Sequence, residues 1–280
     1  MKQKSPYSRV FLTFSCACMV LLGGLASAEE QEFFEKTTAT WFEPVGEGRT
    51  IRVDNPYGAI YTRFGGYEAK AEIIATMQRL EPDQPTLIVE RHTVEGDLTI
   101  TVRVDGAQGD DVVERRDRID LVLFAPIGRR VELSTLEDTI AVKGLQGDLQ
   151  ARTLSGDISL RKIKGAVDIE TDRGKVLALL ESGVTKSDQR FVSTTGDLEV
   201  TVYEDADLDV AMATSGQIST DFSLTIEHRR FEEPGKIATA TVNKGGPKLS
   251  IRSKRGHVSL LRQQKFFNSQ PAPKPVQGGS

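Results

Sequence analysis

Cysteine is nearly missing from this sequence: there are two in 280 residues, Cys16 and Cys18, and both fall within the first twenty-eight. If that stretch is removed, the remaining chain has no thiol, which excludes disulfides, thiolate metal sites and cysteine nucleophiles together. Aromatic residues are sparse, with twelve Phe, five Tyr and one Trp, so there is little stacking surface. Positive charge is not in excess either: 36 Lys and Arg stand against 40 Asp and Glu, and a pI near 5.6 argues against nucleic acid as a partner. The sequence also lacks a Gly-x-Ser-x-Gly elbow, a Walker loop and a dinucleotide fingerprint.

Long hydrophobic runs are absent except for one. Lys2, Lys4 and Arg9 precede an apolar run from Val10 to Leu25, which ends in Ala26-Ser27-Ala28. This is the pattern of a secretory signal with its small-residue cleavage site, residues 1–28. The run falls short of the ~20 residues that a spanning helix needs, and Gly23-Gly24 interrupt it. Both cysteines sit in mid-run rather than at a cleavage point, which argues against a lipid-anchored start. Cleavage after Ala28 removes three positive charges and moves the net charge from -4 to -7. The expectation is an exported protein, periplasmic or at the cell surface, with no stable membrane span after cleavage.

What the sequence does have is a countable period. Thr135, Thr153 and Thr171 lie eighteen apart, as do Gly147, Gly165 and Gly183. The columns between them agree: Ile140, Ile158 and Val176 are apolar, as are Val142, Leu160 and Ala178, and Asp138, Gly156 and Gly174 hold the turn. Two apolar residues separated by a polar one describe a half-buried strand, and Gly supplies a turn that other residues make at a cost. Self-similarity at a short fixed period marks a stacked array. The predicted fold is all-β: a β-solenoid of stacked short strands, about 18–22 residues per coil, preceded by irregular antiparallel sheet, with coils rising roughly 4.7–4.9 Å each.

Around that core the chain divides into residues 29–126, an N-terminal β region; 127–262, the solenoid repeats; and 263–280, a Pro-, Gln- and Gly-rich tail expected to be disordered. Within the first region, 29–44 reads as a leading strand or cap. Thr50-Ile51-Arg52-Val53 and Ala59-Ile60-Tyr61, joined by Asn55-Pro56-Tyr57-Gly58, read as a weaker copy of the repeat. Residues 68–80 favour a strand, 86–91 and 98–104 a hairpin, and 119–124 a strand that Pro126 ends. The charged run 110–120 reads as a solvated loop. After Gly183 the motif returns at Thr194-Thr195-Gly196-Asp197, Thr214-Ser215-Gly216 and Lys254-Arg255-Gly256-His257, with 227–235 a charged insertion.

The combination Asp120-Leu121-Val122-Leu123-Phe124-Ala125-Pro126, Val131-Glu132-Leu133-Ser134-Thr135 and the Gly-Asp-apolar steps at Gly147, Gly156 and Gly196 resembles a bacterial family of exported β-solenoid domains of unknown function labelled "putative adhesins". The similarity runs from about Ile51 to Leu261. The resemblance implies an envelope or extracellular location and a binding or structural role, and it brings no catalytic residues.

A polysaccharide lyase or hydrolase on a solenoid needs carboxylates in register on neighbouring coils. The position after the turn residue reads Thr139, Asp157, Lys175, Asp197, Gln217 and His257, the scatter of a solvent-facing site, and its Asp residues fit turn chemistry. Calcium-binding repeats need Gly-Gly-x-Gly-x-Asp, and these coils carry a single Gly, so Asp110-Asp111 and Glu204-Asp205-Ala206-Asp207-Leu208-Asp209 read as solvated charge, with weak calcium sites as the alternative. His92, His228 and His257 lie too far apart in sequence to suggest zinc. The Thr135, Thr153 and Thr171 column fits a hydrogen-bonded ladder rather than a nucleophile. Trp41 and Phe42 read as a plug for the end of the solenoid, or alternatively as an exposed sugar-stacking pair.

The sequence therefore predicts no catalytic, cofactor or metal site. It predicts a non-catalytic adhesin-like or scaffold module whose partner is a cell-surface protein or polysaccharide, in an oligomeric state the sequence does not specify. The alternatives are a carbohydrate-active enzyme on the same scaffold and an accessory factor in envelope-stress signalling.

Overall fold

A computed structural model describes residues 35–65, 69–80, 85–106, 117–180 and 187–264. The signal segment 1–28, Asp110-Asp111 and almost all of the 263–280 tail lie outside the described residues. The described chain is all-β. Its first strands are β1 (Glu35–Pro44), β2 (Thr50–Asp54), β3 (Ile60–Phe64), β4 (Lys70–Arg79), β5 (Leu87–Val94), β6 (Asp97–Val104) and β7 (Arg118–Ala125). The middle of the chain forms β8 (Arg130–Thr135), β9 (Ile140–Lys143), β10 (Leu149–Thr153), β11 (Ile158–Arg161), β12 (Val167–Thr171), β13 (Val176–Leu179), β14 (Gln189–Ser193) and β15 (Leu198–Tyr203). The last are β16 (Leu208–Thr214), β17 (Ile218–Thr220), β18 (Thr225–His228), β19 (Lys236–Val242), β20 (Lys248–Ser253) and β21 (Val258–Gln263).

These strands form two sheets. The first runs β1-β4-β7-β3-β9-β11-β13-β15-β21-β17, and the second β18-β19-β16-β20-β14-β12-β10-β8-β2-β6-β5. From β8 to β15 the chain alternates between them, one strand in each, so the eighteen-residue period is a stacking period. Ile140 pairs with Ile158 and Ile158 with Val176, in parallel and in register. Thr135, Thr153 and Thr171 are likewise direct neighbours. The period-2 alternation of each strand sends one row inward, and that row is the core: Ile140, Ile158, Leu160, Val176 and Val200 are buried, and Phe191 is the largest fully enclosed side chain.

Antiparallel pairing, expected ahead of the regular coils, joins β1 to β4, β4 to β7 and β5 to β6. The same region also supplies coil strands, because β2 lies parallel to β8 and β3 to β9. Coil order along the stack departs from chain order at both ends. The earliest pair, β2 and β3, sits between β6/β7 and β8/β9, and the latest, β20 and β21, sits between β14/β15 and β16/β17.

The turns explain the invariance of the motif. The Gly174 N–H donates to Thr171 Oγ1 at 3.1 Å, and the Gly196 and Gly256 N–H groups do the same to Ser193 and Ser253. These hydroxyls in turn donate to carbonyls of the adjacent coil, Ser253 to Gly196 and Thr153 to Leu136. Buried polar groups must be paired, and here the pairing also ties coil to coil. Glycine is required because the coils meet at the turn: a Cβ on Gly174 would lie 1.9 Å from the Gly156 carbonyl oxygen.

Candidate interaction surface

The aspartates of the Gly-Asp steps bond across coils rather than within their own turn. Asp157 Oδ1 accepts from the Lys175 N–H at 2.8 Å, Asp197 from His257 at 2.7 Å and Asp148 from Ala166 at 2.9 Å. Asp97, Asp120 and Asp188 serve Thr50, Ala59 and Lys248 in the same way. Each carboxylate satisfies the coil beside it, and like charges directly opposite one another are destabilising, so Asp alternates with other residues along the stack. At the position after the turn residue, therefore, Asp157 and Asp197 are structural, and Thr139, Lys175, Gln217 and His257 are the other residues of that column.

The remaining candidates are dispersed. Asp207 Oδ1 accepts from the Lys244 N–H, and Asp209 accepts from Thr241 Oγ1 and the Gly246 N–H, so this acidic run holds the 243–246 turn. His92 lies on β5, His228 on β18 and His257 before β21, where its Nε2 is 2.9 Å from Ser219 Oγ. Among the described residues no three His, Cys, Asp or Glu side chains gather to hold a metal. Trp41 packs against the core with the Arg91 guanidinium 4.5 Å above its ring, and Arg91 also pairs with Glu43 at 2.7 Å. Because β1 and β5 are the outermost strands of their sheets, this cluster closes one end of the stack. Phe42, next to Trp41, points the other way and is 48% exposed.

The two outward faces differ in chemistry. On the second sheet, charges sit opposite partners of opposite sign. Arg52 pairs with Glu132 at 2.8 Å, Arg190 with Asp168 at 2.5 Å and Arg152 with Glu170 at 3.6 Å, while Ser134 donates to Asp54 at 2.5 Å. Two open grooves on this sheet, of about 320 and 250 Å³, include the Arg152–Glu170 and Arg190–Asp168 pairs respectively; Asp148 and Asp188 in the smaller one are committed to backbone N–H groups.

On the first sheet one outward row is uncharged over most of its length, up to Glu199, and the other holds a run of cations. One row runs Ile74, Val122, Tyr61, Ala141, Ser159 and Leu177 on successive strands. The parallel row begins Phe42, Glu72 and Phe124, then becomes Arg63, Lys143 and Arg161 before returning to Leu179 and Leu261 at either side of Thr201. The Arg63 guanidinium lies 5.5 Å from the Tyr61 ring centre and donates to the carbonyls of Thr62 and Ala141. Lys143, Lys162, Lys164 and Arg63 line a groove of about 390 Å³ where this row meets the turns. The sequence pattern marked these positions only as outward-facing. Which residues sit side by side follows from register, and the β3-to-β9 offset of eighty residues hides Arg63 from any eighteen-residue count.

Among the described residues no helix is long and apolar enough to cross a membrane. No family model and no curated protein matches the chain. Among solved structures, the chain is similar to a "putative cell adhesion protein" from Clostridium sporogenes, with 13% identity over 82% of this chain and 100% of that one, at a TM-score of 0.47. It is also similar to a "putative adhesin" from Bacteroides fragilis, with 11% identity over 81% and 97% of the chains and a TM-score of 0.35. A "putative lipid binding protein" from Parabacteroides distasonis aligns at 11% identity over 81% and 96%, with a TM-score of 0.32.

Proposed function

We propose that this chain is an exported, non-catalytic binding module of the cell envelope, an adhesin-like β-solenoid that meets its partner through the outer face of the first sheet. The observation that carries this reading is the difference between the two faces. On one, Arg52, Arg152 and Arg190 pair with acids across strands, while the other places aromatic, aliphatic and cationic side chains in adjoining rows. Apolar surface rimmed by charge on a soluble domain marks a place where something else binds. Catalysis on the scaffold would need an acid and a base free to act. Of the carboxylates lining the second-sheet grooves, Glu170 and Asp168 each face an arginine and Asp148 and Asp188 each accept from a backbone N–H, which leaves Asp172 without a second free carboxylate beside it.

Fractionating cells and reading the N-terminus of the recovered protein tests export: residue 29 at the start, in the periplasmic or surface fraction, is expected. Binding of the purified protein to intact envelopes should be lost in Leu177→Glu with Phe42→Glu, which places charge on the first sheet's outer face. It should persist in Arg252→Glu, which alters the second. Equal loss in both would overturn the assignment of the face.

A further inference from the structure

We propose that the corner where β3, β9 and β11 leave the first sheet binds a linear acidic polysaccharide, its carboxylate or sulfate groups seated on a row of cations that repeats with the coils. This rests on the non-catalytic binding reading above and names a ligand class for the same face. Arg63, Lys143 and Arg161 are direct register neighbours on three adjacent strands. Their Cα atoms are therefore separated by roughly the 4.7–4.9 Å of paired strands. Lys162 and Lys164 follow in the next turn, and Phe64 and Gln146 complete the walls of the groove.

Three observations point to a ligand. First, the charge is uncompensated: among the described residues Lys143, Arg161, Lys162 and Lys164 make no ion pair, whereas Arg52, Arg152 and Arg190 on the second sheet's outer rows each face an acid. Like charges on neighbouring strands oppose folding, and this row occurs in a chain whose net charge is -4. Second, Lys162 adopts φ 58°, at the coil position that Gly144 fills at φ 81°. A side-chain-bearing residue pays for that left-handed conformation where glycine would not, and such outliers persist where function uses them. Third, Phe64 is 54% exposed beside this cluster, and Gly144 makes room for it, since an added Cβ there would lie 2.7 Å from Phe64 Cβ. An exposed ring next to a cation row suits a sugar acid, with the apolar sugar face on the ring and the anion on the lysines. The row runs along the stacking direction beside a groove, a shape that takes an extended polymer rather than a bilayer.

The test titrates the exported protein with polygalacturonate and heparin, using neutral dextran and phosphatidylglycerol vesicles as comparisons, at low and high salt. Both acidic polymers should bind, dextran should not, and binding should weaken as salt screens the contact. Lys143→Glu with Arg161→Glu should weaken binding on the order of tenfold or more. Arg230→Glu with Arg252→Glu, the same change in net charge elsewhere, should leave it unchanged. Lys162→Gly should weaken binding by a smaller factor and raise the unfolding temperature, a pairing that a purely structural lysine would not give; thermal unfolding of every variant checks the fold. The proposal is overturned if neither acidic polymer binds, if dextran binds as well, if the Lys143 and Arg161 reversal has no effect, or if only the vesicles bind. Failure with the polymers while intact envelopes still bind would sink the ligand and leave the binding module standing. Shortening of the polymer during incubation would sink the non-catalytic reading itself.

Discussion

The outer faces of the two sheets are made by the same coils, with the same alternation and the same turns, yet the arginines of the central coils have acids beside them on one face and only other cations beside them on the other. On the second sheet Arg190 finds Asp168 on the next coil and Arg52 finds Glu132. On the first sheet the coils that carry Arg63, Lys143 and Arg161 put cation beside cation, and the rows around them are apolar. Stacking fixes which residues become neighbours but not whether they suit one another. A mismatch maintained over three coils therefore identifies the face not specified by folding alone.

The comparison can be broken outright at the turns, which support both faces. Gly174→Val forces a side chain onto the Gly156 carbonyl, and a loss of about 3 kcal/mol or more in urea unfolding is expected. Thr171→Val keeps the shape and removes the acceptor for the Gly174 N–H, so a loss of about 1–3 kcal/mol should follow on the same measurement. In the opposite direction, Thr62 is fully buried between Leu123 and Val142 on the inner row, and its hydroxyl has no partner. Thr62→Val should stabilise the protein by about 1 kcal/mol, because it removes a buried unsatisfied group.

Smaller effects sharpen the contrast between the faces. Arg190→Ala removes a half-exposed ion pair and should cost at most about 1 kcal/mol, whereas Arg161→Ala should cost nothing measurable or give a slight gain. Equal losses in the two variants would mean that the first-sheet row is compensated after all. The smallest effect concerns the 227–235 segment, where the hydrogen bond from Arg255 holds the Glu233 carboxyl below its ordinary value. A carboxylate depressed in the folded state contributes above its unfolded value and loses that contribution as the pH falls through the folded one. Amide protection around Glu233, taken relative to the intrinsic exchange rate at each pH, should therefore fall in acid while protection in β12 does not change.

The regular coils were legible in the sequence because every contact that defines them spans one period. Thr153 and Thr171 are neighbours in space for the same reason that they match in the text. Where pairing spans other distances, the text goes quiet: β2 meets β8 across eighty residues and β14 meets β20 across sixty, so the full stack does not show in an eighteen-residue count. The aspartate alternation was visible, but its cause was not, because the bond runs to a backbone N–H on another coil. The candidate surface was the least legible part. Lys143 and Arg161 do share the period, but an outward lysine looks the same in sequence whether or not an acid stands beside it.

The placement of the β2/β3 and β20/β21 coils inside the stack rather than at its ends has a consequence for how such a protein can change in length. An array wound strictly in chain order can gain units at either extremity by tandem duplication. Here a coil added after β21 would have to wedge into the occupied gap between β20/β21 and β16/β17, whereas copies inserted between β8 and β15, where chain order and stacking order coincide, extend the stack without displacing a neighbour. The growth zone of this fold is its middle.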